Sequence, residues 1–433
     1  MFDGIRASMR LVVCMLGVLA AVGVAACGSS DDSGSDESSS SSSASKDLTG
    51  AALKFVGGKA GAASSDKPPV TIGFVNQSGG VPAFPEAAAA ADAAVKLVND
   101  ELGGIQGHPL RLASCTIVSA EEQGQACGQK LLAQSGVKVV TTGGVDVGSA
   151  SLFSTLGSKL FTVGANINGE ADIGAKNAVF MASGVVGVVP NLGVYAAQNL
   201  KAKTAALLVD ATPQGQVAAK LIKDVLKASG VKVTESQFKP NSPSLTGPVS
   251  ASGAAKADVV IAVVLPQTCI PLSKTLEQLG VKAPVLTLGL CLDESVKKAA
   301  GDYPKWTYSM PTDNPALPEE SDDVADYLTA MEKYAPKAAV QGQSPMTFAA
   351  ILTDARILNE LGPEATPKEV ADKAATFAAD GYMGAPDLHC GQNKATPSIC
   401  TLGVRLYTYE GNDKWVDATG GKWVSPPPPP SAK

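Results

Sequence analysis

Histidine is almost missing from this 433-residue chain, which has only His108 and His389. Zinc sites and general-base chemistry both draw on that side chain, so two copies in loop-like stretches leave little scope for either. Aromatic residues make up only 5% of the chain. Positive charge is not in excess, since 35 basic against 41 acidic residues give a formal charge of −6. That balance excludes the basic footprint of a nucleic-acid binder. There is one long apolar run and no second, which excludes a multi-span membrane protein. Gly-x-Ser-x-Gly, His-Glu-x-x-His, the P-loop and Gly-x-Gly-x-x-Gly are all absent. The Ser-x-x-Lys spacings at 135–138 and 229–232 fall on glycine turns between a helix and a strand, where the structural reading is the stronger. No enzyme, cofactor or metal is expected.

What is present begins with an address. Arg6 and Arg10 precede a short apolar run at 11–24, followed by Val24-Ala25-Ala26-Cys27-Gly28. The run is short for a membrane span of ~20 residues. Residues 1–27 resemble a bacterial lipoprotein signal peptide, in which small residues fit the peptidase and the Cys27 thiol receives diacylglycerol. Residues 28–68 are rich in Gly, Ser and Asp, and such a stretch does not bury enough surface to order itself. A disordered tether is expected there, and a stiff proline-rich tail at 425–433. The fold is then expected at about 69–424, enough for two lobes with sizeable cores.

With Cys14 leaving in the signal and Cys27 lipidated, six cysteines remain: Cys115, Cys127, Cys269, Cys291, Cys390 and Cys400. They form three sequence-local pairs in a chain read as exported, where disulfides persist. Six thiols allow fifteen connectivities, and nearest-neighbour pairing is the expectation. Metal binding is the weaker reading, because no Cys-x-x-Cys occurs.

Between the ends, β-branched runs alternate with Ala/Leu/Lys-rich segments of helical length. Strands are expected at 70–75, 110–115, 137–142, 160–164, near Val179, and at 204–209, 231–234, 259–264 and 285–288. Helices are expected between them. Near-continuous apolar strands alternating with helices argue for parallel sheets covered on both faces. After Met310 the pattern turns helical, then finishes in strand-like segments at 402–409 and 414–416. The expected fold is α/β, with two doubly wound parallel-sheet lobes joined by three crossovers near 182, 311 and 385. Lobe 1 would take 69–182 and 311–385, and lobe 2 would take 183–310 and 386–424.

The stretch Ile72-Gly73-Phe74, then Gly79, Phe84 and Asn99-Asp100-Glu101-Leu102-Gly103-Gly104-Ile105-Gln106-Gly107 resembles the opening of type I periplasmic binding proteins. The closest branch is the leucine/isoleucine/valine-binding lipoproteins of ABC importers, whose following strand also carries a cysteine, here Cys115. The resemblance covers 69–420 in order and spacing. It implies a small-molecule solute held in the cleft between the lobes, delivery to a membrane permease, and a monomer lipid-anchored on the extracytoplasmic face of the cell membrane.

Carried over residue by residue, the resemblance places the first-strand loop at Gln77-Ser78-Gly79 and the shielding aromatic at Phe84. The serine that holds the ligand carboxylate becomes Ser149, with Gly148 adding backbone N–H groups at a helix start, an arrangement that binds anions. Gly164-Ala165-Asn166 takes the place of an Ala-x-Thr clamp. In the second lobe Gln214 and Gln267 fall where the family has tyrosines. No acid stands near Leu290-Cys291, where the family pairs the ligand ammonium; Asp293 is the nearest, and Asp146 could supply the charge from lobe 1. An unpaired ammonium in a closed cleft is costly, so a small polar or zwitterionic, amino-acid-like solute is expected rather than a branched-chain amino acid. A lipoprotein that senses its ligand and presents it to a signalling receptor is the alternative.

Overall fold

The computed structural model describes residues 50–426 apart from Val81 and Ala395. The expected signal peptide with Cys27, the first part of the expected tether and most of the expected proline-rich tail lie outside the described residues. β-branched and apolar residues dominate the inner strands of two sheets, which are buried on both faces, while the outer strands at 110–117 and 232–238 mix buried with exposed polar residues. In lobe 1 the strands are β1 (Val70–Gln77), β2 (Leu110–Ile117), β3 (Val137–Thr142), β4 (Thr162–Asn166) and β5 (Ala178–Ala182). They pair in the order β2-β1-β3-β4-β5, all parallel.

Lobe 2 repeats that order with β6 (Thr204–Asp210), β7 (Lys232–Phe238), β8 (Val259–Val263), β9 (Val285–Leu288) and β10 (Thr307–Met310), arranged β7-β6-β8-β9-β10. The strand β10 was not expected; it is short and holds Tyr308 and Met310 in the second core. The crossovers between strands are helical. Those of lobe 1 are α2 (Pro85–Asp100), α3 (Glu121–Ala133), α4 (Ser149–Leu156) and the single turn α5 (Glu170–Ile173). Those of lobe 2 are α6 (Gly184–Gln198), α7 (Pro213–Ala228), α8 (Thr246–Ala251), α9 (Pro266–Gln278) and α10 (Glu294–Ala300). Prolines at the start of α2, α7 and α9 occupy positions whose missing N–H has no partner to lose.

The chain then returns to lobe 1 as α11 (Asp322–Tyr334), α12 (Ser344–Leu361) and α13 (Pro367–Ala375), which bury Tyr327, Phe348 and Ile351 against the first sheet. A small antiparallel pair follows, β11 (Ala378–Ala379) with β12 (Leu388–His389). Here the expected third boundary shifts. Leu388, Cys390 and Cys400 all belong to the first core, and Phe180 N donates to Ser398 O along the open edge of β5. Residues 386–400 therefore pack with lobe 1, and the chain crosses back only after Cys400. It ends in an antiparallel hairpin on the lobe-2 sheet, β13 (Arg405–Gly411) and β14 (Lys414–Asp417), turned through Asn412 and Asp413 at φ 55° and 56°.

The tether is shorter than expected. Residues 50–56 form α1 (Gly50–Val56), whose Ala52 and Val56 are buried against α11 and α12. Asp326 Oδ2 accepts from Ala52 N at 2.9 Å, and the Arg356 guanidinium lies 5.2 Å from the Phe55 ring centre. Backbone bonds from Lys59, Gly61 and Ala63 to Leu102, Glu101 and Asn99 continue the attachment. The apolar residues Leu53, Phe55 and Val56 sit inside a polar composition that masked them.

Disulfides join Cys115 to Cys127, Cys269 to Cys291 and Cys390 to Cys400. The first ties β2 to α3 and the third closes the loop that returns along β5. The second joins the first turn of α9 to the helical turn that follows β9.

Candidate ligand-binding cleft

In an open parallel sheet the crevice forms beyond the carboxyl ends of the strands, where the strand order reverses. In lobe 1 that point lies between β1 and β3, and in lobe 2 between β6 and β8. The two sets of loops face each other: Glu86, at the start of α2, is raised by its own burial and, to a smaller degree, by the negative charge of Asp293 across the cleft.

Gln77 ends β1 with no exposure. Its Oε1 accepts from Asp146 N at 2.9 Å and Val147 N at 3.1 Å, while Nε2 donates to Pro82 O at 2.9 Å. Both ends of its amide are thus used in bracing the β1 and β3 loops together. Asn76, which sequence reading missed, does the same work: Nδ2 donates to Phe84 O at 2.8 Å and Oδ1 accepts from Gly144 N at 3.0 Å. Ser78 Oγ accepts from Asn76 Nδ2 at 3.1 Å. Phe84 is half-buried, and a Cβ on Gly144 would lie 2.4 Å from its ring. The glycine lets the aromatic settle directly on the β3 loop.

Gly148 precedes α4 with φ 92°, and a Cβ there would lie 2.8 Å from Ile117 Cδ1. Its N–H was expected to face a ligand anion. Instead it donates to Glu121 Oε2 at 2.8 Å, and Ser151 N donates to Glu121 Oε1 at 2.7 Å. The positive end of α4 is therefore matched by a carboxylate of the chain itself. Ser149 is buried, and its hydroxyl bonds the Asp172 carboxyl. Asp172 also accepts from Asn168 N at 2.8 Å and Gly169 N at 3.1 Å. Burial nevertheless outweighs those bonds and pushes its carboxyl up to about 6, with Asp146 adding to the rise.

Asp146 stands exposed to the cleft solvent. Protein crowds it enough that burial pushes its carboxyl up to about 6 as well. Gly164 and Ala165 are buried, the first directly beneath the Phe180 ring. Asn166 Nδ2 donates to Asn168 Oδ1 at 3.2 Å, and its own Oδ1 is a buried acceptor with no donor.

On lobe 2, Gln214 and Gln267 are the exposed second residues of α7 and α9 at the rim. Between their loops lies Asp210, another group the sequence did not flag. It is 2% exposed and accepts from Leu265 N at 2.6 Å, and burial raises its carboxyl. Asp293 caps α10 by accepting from Ser295 N at 2.7 Å. The buried Cys269–Cys291 bridge ties the start of α9, which carries Gln267, to the turn that carries Leu290. Asn76 and Asp210 lie at strand ends and Glu121 and Asp172 in helix first turns, single polar residues with no spacing motif, so only the pairing of strands brings them to the cleft. Among the described residues no group of three or more His, Cys, Asp or Glu is placed to hold a metal. No helix among them is long and apolar enough to cross a membrane.

Residues 69–406 match the sequence profile of a family described as periplasmic binding protein. No curated protein sequence matches the chain. Among solved structures, the branched-chain amino acid transporter substrate-binding protein LivJ of Streptococcus pneumoniae, in complex with isoleucine, superposes with a TM-score of 0.65. It shares 16% identity and the match covers 83% of this chain and 100% of that one. A solute-binding protein of R. palustris in complex with 4-hydroxybenzoate gives 0.64 at 15% identity, covering 82% and 96%. The leucine-binding protein LivK of Thermotoga maritima gives 0.63 at 12% identity, covering 80% and 97%.

Proposed function

Because the chain belongs to the periplasmic binding protein family, we propose that it is the extracytoplasmic solute-binding lipoprotein of an ABC importer, taking a small polar solute between its lobes. The observation that carries the reading is the pair of like-ordered parallel sheets whose strand-end loops face each other across a polar cleft. Closure about the crossovers holds the ligand by contacts made with both lobes. A membrane permease then receives it.

The hinge has identifiable parts. Arg405, on the strand where the chain re-enters lobe 2, binds Asp313 of the second crossover at 2.9 Å and Asp417 of β14 at 2.5 Å. It also reaches Glu320 at 3.3 Å, just ahead of α11 in lobe 1. Anchoring through Cys27 and a monomeric state complete the reading.

Thermal-shift screening of the purified protein against amino acids, amines, sugars and aromatic acids tests the binding function. At least one compound should raise Tm, and a flat response across the whole panel would defeat the reading. Mass spectrometry of the membrane fraction tests the anchor, since the N-terminal peptide should carry a lipid on Cys27 that Cys27→Ser removes.

A further inference from the structure

The lobe-1 half of the cleft is built against a ligand carboxylate. Two amide groups at the start of α4 are engaged by Glu121, and the Ser149 hydroxyl is engaged by Asp172. Gln77 has neither end of its amide free. The loops at the carboxyl ends of the lobe-1 strands, 77–86, 117–122, 143–149, 166–172 and 182–184, contain no Lys, Arg or His. They carry Glu86, Glu121, Glu122, Asp146, Glu170 and Asp172. Glu121 and Asp172 are satisfied within the chain, but the exposed Asp146 carboxylate, in the loop after β3, has no hydrogen-bond or ion-pair partner among the described residues. The buried Asn166 Oδ1 is a further acceptor lacking a donor in the same group of loops.

We propose that the ligand presents a cationic group, an ammonium, amidinium or guanidinium, to Asp146, so that the cleft selects organic cations over carboxylates. This deepens the solute-binding reading above and rests on it. A carboxylate set against Asp146 and Asp172 would place like charges together in a closing, water-poor space, where their repulsion is strongest. A cation reverses the sign of each of those interactions and supplies the donors that Asp146 lacks. The run of acidic loops also draws cations toward the cleft before contact.

The test is calorimetry on the purified full-length chain at low ionic strength with three sets of probes. These are choline, putrescine and agmatine as cations, 4-methylpentanoate and 4-hydroxybenzoate as carboxylates without an ammonium, and D-glucose and myo-inositol as neutral compounds. The expected result is that a cation binds at least tenfold more tightly than any carboxylate or neutral probe. Asp146→Asn should then weaken that cation tenfold or more while Tm of the free protein stays within about 2 °C. Tighter binding of a carboxylate or neutral probe overturns the proposal and leaves solute binding standing. Cation affinity that ignores Asp146→Asn overturns it too. Silence from every probe in all three sets defeats the solute-binding reading and the proposal together.

Discussion

Thr141 on β3 hydrogen-bonds the Asp354 carboxyl of α12 inside the lobe-1 core, where neither residue has any exposure. The other carboxyl oxygen, Oδ1, has no partner. Burial pushes the carboxyl up to about 8, with the Thr141 bond acting in the opposite direction. At neutral pH the group is therefore held mainly as the uncharged acid, which is how α12 packs on the sheet without a buried charge.

The sign of the pH dependence follows. Between the ordinary aspartate value of 3.8 and about 8, the folded chain keeps a proton that the unfolded chain has released. This group's contribution to stability therefore falls as pH rises through that window. Asp354→Asn removes the titration. Its Tm relative to the natural protein should climb by several degrees between pH 5 and pH 8, followed by circular dichroism. Parallel profiles would show that Asp354 does not hold its proton in the fold.

Glu121 joins α3 to α4 by accepting from two backbone amides. Glu121→Ala leaves those donors to water and should cost about 1 kcal/mol in urea denaturation, as loss of a helix cap does. Glu121→Gln, which keeps an acceptor, should recover part of the loss. Equal stability of all three proteins would remove this bond from the account of the site.

Arg405 is 8% exposed and faces three carboxylates at the hinge. Arg405→Met removes the cation, leaving Asp313 without its ion partner and Asp417 held only by Thr419 and Gly421. A loss of about 3–5 kcal/mol is expected on the precedent of broken buried pairs. Glu320 is 35% exposed and farther away, so Glu320→Gln should cost less than about 1 kcal/mol. The ranking of the two variants in chemical denaturation is the check.

The Cys269–Cys291 bridge closes 22 residues of chain. Replacing both cysteines by alanine should cost about 3 kcal/mol if restriction of the unfolded chain dominates. A larger loss of ligand affinity than of stability would show that the bridge also sets the positions of the β8 and β9 loops.

The sequence made the alternation legible because fully buried parallel strands leave uninterrupted β-branched runs such as 137–142 and 259–264. It was less informative where order comes from contact rather than composition. The seven residues of α1 are too few to form a stable helix alone and hold their shape against α11 and α12. Residues 386–400 have no strong periodicity and are placed by Leu388 and the Cys390–Cys400 bridge. At the cleft, the resemblance singled out Phe84 and Asp146, which lie between β1 and α2 and between β3 and α4. It gave no sign that Gln77 and Gly148 would be engaged by Val147 and Glu121, since those partners meet only when strands distant in sequence lie side by side.

The three disulfides also bear on how the chain is made. Lobe 1 is discontinuous, so its sheet waits for α11 to α13 at the far end of the polypeptide before its core is complete. Each thiol nonetheless pairs with the cysteine adjacent to it in order, across separations of 12, 22 and 10 residues. A polypeptide that meets an oxidant with its N-terminal end first offers Cys127 to Cys115 before any thiol later in the chain has emerged, and the same holds for the next two pairs. Vectorial synthesis and native connectivity agree, so each crosslink can be in place long before the domain that contains it has closed.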